Sequence, residues 1–185
     1  MPKVIECRPA LDDATSFALG AGDAVSVSGE LTTIRDATAR RLLDIANSGE
    51  PLPVELGGRV LYAVGPSPAK PGQIVGSAGP TTIERFVVYL PFLFRSGVKG
   101  VIAKGELHGD IVEVFREAGA IYLAAIGGLG ALLGKHVVAS DIVAFPELGP
   151  EALRRFTVRD FPAMVIIDRH GGNFHETARA RWRRS

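Results

Sequence analysis

The sequence predicts an α/β protein with a central, mostly parallel sheet, and two observations carry that prediction. From Gly100 onward, the apolar runs Val101-Ile102-Ala103 and Ile121 to Ala125 alternate with segments of helical spacing at 107–118 and 128–134. Runs that are apolar at every residue suit strands covered on both faces, as in parallel sheets with helical, right-handed crossovers. The first half instead sets short strands among prolines and glycines, which predicts a second sheet layer.

Ala24-Val25-Ser26-Val27-Ser28 alternates apolar and polar, the pattern of a strand with one buried face. Residues 36–47 have helical spacing, with Leu42, Leu43 and Ile45 among the apolar positions, and Gly49 and Pro51 stop them. Val60 to Val64 and Gly72 to Ser77 read as short strands. Residues 81–96 read as a long, largely buried helix, which Pro91 kinks or breaks near Tyr89–Leu90. Val137-Val138-Ala139, Ile142-Val143-Ala144, Phe156 to Val158 and Met164 to Ile167 complete the sheet. The basic end from Arg179 to Ser185, with Trp182 embedded, reads as a tail (175–185) or a partner contact.

A chain of 185 residues suits one domain, here 1–185, and 46% hydrophobic residues supply a sizeable core. A net charge of +1 gives no reason to expect nucleic acid or a membrane surface as partner. Cys7 is the sole cysteine, too few for an internal disulfide, a four-thiolate zinc site or an iron–sulfur cluster. No signal peptide or membrane span is visible, so a reducing cytoplasm is the expected location.

The strongest chemical signal is Gly79-Pro80-Thr81-Thr82-Ile83-Glu84-Arg85. Read as a loop entering a helix, it offers a carboxylate free N–H groups, the Thr81 and Thr82 hydroxyls and the Arg85 guanidinium on one turn. A capped surface helix with an exposed arginine would read the same way. In Thr32-Thr33-Ile34-Arg35-Asp36, a threonine serves to cap the following helix while Arg35 faces the positive end of its dipole. Either Asp36 neutralises that arginine or a bound anion bridges it to the helix end. Lys104 closes the apolar run Val101–Ala103, where ligand sites of open α/β sheets collect, and Gly105 frees the turn beyond it. Arg35, Arg85 and Lys104 together match the needs of a dicarboxylate.

Other patterns carry less. Gly128-Leu129-Gly130-Ala131-Leu132-Leu133-Gly134 lacks the third glycine spacing of a dinucleotide loop, so its glycines read as close strand–helix packing. His170-Gly171-Gly172-Asn173 resembles an esterase oxyanion loop, but no Gly-x-Ser-x-Gly elbow accompanies it and a turn is expected. The four histidines show no metal-ligand spacing, and no metal ligand is assigned in the chain.

A further set of segments occurs in order: Arg35-Asp36-Ala37, Tyr62-Ala63-Val64-Gly65-Pro66, Gly76 to Thr82 with Arg85, Ala103-Lys104-Gly105, Gly127-Gly128, Phe145-Pro146-Glu147-Leu148-Gly149 and Asp160-Phe161-Pro162-Ala163. From about residue 8 to 174 the chain resembles the β-subunit, or C-terminal domain, of class I fumarases and L(+)-tartrate dehydratases, which are iron–sulfur hydro-lyases. The resemblance implies a three-layer swivelling β/β/α domain and reversible dehydration of a 2-hydroxy dicarboxylate, with malate/fumarate leading and L(+)-tartrate the alternative; a non-catalytic dicarboxylate-binding module is the rival reading from another class. It also implies a separate α-subunit holding a [4Fe–4S] cluster, hence a hetero-oligomer, with a homodimer of the isolated chain as a further arrangement. It makes Arg35, Thr81, Arg85 and Lys104 substrate contacts; the motif adds Thr82 to them, and Thr81 and Lys104 are the expected catalytic residues. Thr38-Ala39 stand where that family often has a histidine, and Phe86-Val87 where it often has Met-Asp after the arginine.

Overall fold

The computed structural model of the chain describes residues 3–7 and 10–183. Strand β1 (Lys3–Cys7) is followed by a one-turn helix, α1 (Asp13–Phe17), whose first turn is capped by the Asp12 carboxylate accepting from the Thr15 N–H at 2.7 Å. Next come β2 (Ala24–Ile34), α2 (Asp36–Ser48) and β3 (Val60–Ala63). Gly49 ends α2 in the left-handed conformation at φ 77°. A 3₁₀ turn (Ile83–Phe86) leads to α3 (Leu90–Arg95), β4 (Gly100–Ala103), α4 (Asp110–Ala118) and β5 (Ile121–Ala124). The chain continues through α5 (Gly130–Lys135), β6 (Val137–Ala144), a second 3₁₀ segment (Pro146–Glu151), β7 (Leu153–Ile167) and α6 (Phe174–Trp182).

The fold is mixed α/β around one sheet of seven strands in the order β1-β2-β3-β4-β5-β7-β6. The pairs from β1 to β5 are parallel, whereas β7 runs antiparallel to both β5 and β6. β7 also pairs with β2, from Ala24 opposite Met164 to Thr32 opposite Arg155, with a register shift between Val27 and Gly29. Hydrogen bonding therefore runs from β2 through β3, β4, β5 and β7 back to β2.

Alternation along the middle strands divides the buried side chains in two. Val60, Tyr62, Ile102, Ile121 and Leu123 join Val25 and Val27 of β2 and Phe156 and Phe161 of β7. Leu61, Ala63, Val101 and Tyr122 join Leu42 of α2, Leu90 and Leu93 of α3 and Phe115 of α4. β3, β4 and β5 are thus covered on both sides, which is why their sequences are apolar at every position.

Several expectations are corrected. Gly72 to Ser77 is not a strand. Its apolar content is only Ile74 and Val75, and the Ser67 N–H and Gly76 N–H bonds with Ser77 O and Ser67 O (2.9 and 3.1 Å) fold it into a loop. The helix expected over 81–96 is a 3₁₀ turn and a separate short helix, and the break does fall at Tyr89–Leu90. Pro91 sits in the first turn of α3, where its missing N–H costs nothing. Thr32, Thr33 and Ile34 belong to β2 rather than to a capping loop, and Arg35 is the N-cap of α2 without a side-chain cap bond. The runs at 137–139 and 142–144 are one strand, as are 156–158 and 164–167, and the seven strands are hydrogen-bonded into one sheet. The basic end is not a tail as far as residue 182. It forms α6, begun by Asn173 Oδ1 accepting from the His175 N–H at 3.0 Å, and Arg179 pairs with Glu106. Residues 184–185 lie outside the described residues.

The glycine-rich segment does pack closely, but against the loop at 76–79 rather than against a strand. A Cβ on Gly130 would fall 2.2 Å from Ser77 Oγ and 2.9 Å from Gly79 N, and one on Gly134 would fall 2.4 Å from Gly76 O. Alanine would favour the helix by about 1 kcal/mol, but overpacking costs about 1–3 kcal/mol. Because the clash at Gly134 is with backbone, Gly134→Ala is expected to lower the chemical-denaturation midpoint, and a raised midpoint would contradict this packing. The turn at His170 is likewise present: Asp168 Oδ1 accepts from the His170 and Gly172 N–H groups, both at 2.9 Å.

Candidate active site

The parallel strands all point their carboxyl ends to one side, and the expected site residues sit on the segments that leave them. Arg35 follows β2, Gly65 lies just past β3, Lys104 follows β4 and Gly127 lies beyond β5. The Pro80–Thr82 segment is laid across two of these ends. Pro80 bridges Val64, and the Thr81 N–H donates to Ala63 O at 2.7 Å. Thr82 bridges Lys104, while the Lys104 N–H donates to Thr81 O at 3.0 Å and the Ile83 N–H to Lys104 O at 2.8 Å. Thr81, Thr82 and Lys104 are therefore held together by main-chain bonds.

This corrects the helix-start reading of the motif. The Thr81 and Ile83 N–H groups are spent on β3 and β4, so an incoming anion meets threonine side chains and Arg85 rather than a helix terminus. The 3₁₀ turn carries Arg85 toward the start of α2, where its Nη1 lies 3.3 Å from Asp36 Oδ2. Arg35 precedes Asp36, so the two arginines flank one acid. The side chain of Arg85 is 58% exposed and that of Arg35 only 21%, which makes Arg85 the accessible fork and Arg35 the embedded one.

The open question at Arg35 has a third answer. Glu151 pairs with it, with Oε1 3.1 Å from Arg35 Nη2 and Oε2 accepting from the Ala37 N–H at 3.0 Å. The carboxylate thus offsets both the guanidinium and the positive end of α2. Arg35 Nε and Asp36 Oδ1 are buried without a hydrogen-bond partner among the described residues. Lys104 is exposed, and no side-chain hydrogen bond or ion pair engages it among the described residues.

Glycines clear space for these cations. A Cβ on Gly65 would fall 2.8 Å from Arg35 Nη1, and one on Gly127 would fall 3.2 Å from Lys104 Cδ. Gly105 has φ 96°, a conformation that side chains resist, and sits against Thr82 Cγ2. Two buried tyrosines support the loops from below. Tyr122 OH donates to Gly105 O at 2.7 Å and Tyr62 OH donates to Ala78 O. Burial pushes both phenols well above their ordinary range, so each stays a neutral donor.

Sequence reasoning singled out Arg35, Thr81, Thr82, Arg85 and Lys104 but not the acidic and aromatic residues that pack beside them. Glu151 gives no local signal, since its partners lie at the far end of β2. Tyr62 and Tyr122 read only as core residues of apolar runs.

Residues 8–178 match the sequence model of the family described as Fumarase C-terminus. The chain belongs to this fumarase C-terminus family. Among its relatives are "Fumarate hydratase 2" of Leishmania major, 34% identical over 157 residues, and "Fumarate hydratase class I, anaerobic" of Escherichia coli (strain K12), 32% identical over 154 residues. Those alignments cover 83% and 82% of this chain but 28% of each relative, so the chain spans little more than a quarter of their length. "Putative L(+)-tartrate dehydratase subunit beta" of Methanocaldococcus jannaschii is 34% identical over 164 residues, covering 85% of this chain and 84% of that protein. Arg35, Thr81, Thr82, Arg85 and Lys104 all lie inside the matched segment.

Proposed function

We propose that this chain, as a single domain of swivelling β/β/α type spanning 1–185, is the β-subunit of a two-subunit hydro-lyase that reversibly dehydrates a 2-hydroxy dicarboxylate, malate and fumarate being the leading pair. The observation that carries the proposal is the gathering of Arg35, Thr81, Thr82, Arg85 and Lys104 on segments leaving neighbouring parallel strands. The two cores on opposite sides of β3–β5 support the layered reading of the domain.

In this reading Arg85 and the embedded Arg35 clamp carboxylates, Arg85 as a bidentate fork, and Lys104 adds a point charge. Thr81 orients the reacting carbon and relays a proton; its hydroxyl alone is a poor base at neutral pH. Fixing the substrate against these groups supplies orientation that solution lacks. The [4Fe–4S] cluster implied by the family resemblance does not fit this chain's residues. Cys7 is the only thiol, and among the described residues no three His, Cys, Asp or Glu side chains are placed to hold a metal ion. The proposal therefore places the cluster on an α-subunit.

Two observations support a partner. The M. jannaschii relative named as a subunit beta is matched over most of its own length, unlike the fumarate hydratases. Ile126, Leu129 and Leu132 are 66%, 41% and 47% exposed beside Gly127, whereas a self-sufficient anion-binding module has no use for such an apolar face. Tartrate is the second substrate reading, favoured by that same relative. Among the described residues, no helix is long and apolar enough to cross a membrane, which is compatible with the cytoplasmic location proposed.

Co-purification of the tagged chain from its host tests the proposal. The expected result is a complex containing iron and sulfide that turns over malate, fumarate or L(+)-tartrate. Dicarboxylate binding by the isolated chain with no activity in any complex would leave only the non-catalytic module.

A further inference from the structure

Glu151 lies outside the group of contact residues, yet three of its atoms grip the β2–α2 junction. Its Oε1 pairs with Arg35 Nη2, its Oε2 accepts from the Ala37 N–H, and its main-chain oxygen accepts from Thr38 Oγ1. The neighbouring backbone is tied to β2 as well: Thr33 Oγ1 accepts from the Arg154 N–H at 2.9 Å and donates to Ala152 O at 3.4 Å. Gly65 completes the slot, since a Cβ there would crowd both Arg35 Nη1 at 2.8 Å and Pro150 O at 3.2 Å.

Without Glu151 this arrangement is electrostatically adverse. Arg35 is the N-cap of α2, where the helix dipole repels a cation. The guanidinium has several rotatable bonds and would swing toward solvent, and its freezing would then have to be supplied by the ligand. Thr38 is fully buried, so its bond to the Glu151 main-chain oxygen fixes the backbone of that residue against α2.

We propose that Glu151 is a positioning residue: it holds Arg35 in place at the strand ends before any ligand arrives. Glutamine tests this cleanly, because its amide has one acceptor and one donor end. In either orientation it loses the bond to Arg35 or the bond from Ala37, along with the compensating charge.

The kinetic arm rests on the dicarboxylate hydro-lyase reading; the structural arm does not. For the full chain, NMR relaxation of the Arg35 Nε–H group is compared in wild type, Glu151→Gln and Glu151→Asp. The expected result is a restrained guanidinium in wild type, a mobile one in Glu151→Gln and partial recovery in Glu151→Asp. In the purified complex, Glu151→Gln is expected to raise KM for the dicarboxylate about tenfold or more, with a smaller change in kcat, as lost positioning of a non-reacting carboxylate predicts. Equal restraint of Arg35 in wild type and Glu151→Gln would overturn the proposal. A wild-type complex that turns over no dicarboxylate would overturn the hydro-lyase reading while the relaxation comparison still decides the role of Glu151.

Discussion

Replacing Arg85 with alanine is expected to cut kcat/KM for the dicarboxylate about tenfold to a hundredfold or more, while barely changing stability. A charge-assisted hydrogen bond contributes roughly 1.5–3 kcal/mol, and about 1.4 kcal/mol is a factor of ten. Arg85 is the more accessible of the two arginines at the strand ends, and its ion pair with Asp36 at 3.3 Å is solvent-exposed. Such exposed pairs contribute about 0–1 kcal/mol to folding, so the functional loss should far exceed the structural one. Arg85→Lys should recover only part of it, because an ammonium cannot reproduce the planar two-pronged contact. Steady-state kinetics on the complex, set beside thermal unfolding of the same variants, make the comparison. Near-normal turnover by Arg85→Ala would remove Arg85 from the substrate site.

The largest stability effect should come from Phe161→Ala. Phe161 is fully buried in β7, opposite Val27 of β2, and meets the ring of Tyr62 edge-on at 5.1 Å between centroids. Emptying such a site costs about 3–5 kcal/mol, a large part of the margin of an ordinary domain. The same substitution at Trp182, 85% exposed on α6, should change stability by less than about 0.5 kcal/mol. Chemical denaturation of the two variants tests both expectations. A cost below about 1 kcal/mol at Phe161 would mean that β2 and β7 do not pack as described.

The parts of the fold legible in the sequence are those governed by neighbours in the chain. The apolar runs of β3, β4 and β5, the αL glycine after α2 and the break at Tyr89–Leu90 each follow from a few adjacent residues. The residues of the proposed site stood out for the same reason, since Thr81, Thr82 and Arg85 share one motif and Lys104 ends an apolar run. What escaped depends on distant partners. β1 forms because β2 offers it an edge, and the 72–77 segment stays a loop because it packs on α5 rather than on a strand. The Pro80–Thr82 segment looked helical because its proline and threonines suit a helix start, but the open ends of β3 and β4 claimed its N–H groups first. The acid balancing Arg35 comes from the far side of the sequence, where no periodicity or spacing could announce it.

The long strand β7 bonds to β2 along one edge and to β5 and β6 along the other, and it follows all of them in the sequence. During synthesis, everything before Leu153 must wait with two strand margins unpaired. Such margins recruit other chains, and contacts so far apart along the polypeptide form slowly. The edges of β2 and β5 therefore stay open to unwanted pairing until the ribbon from Leu153 onward is in place.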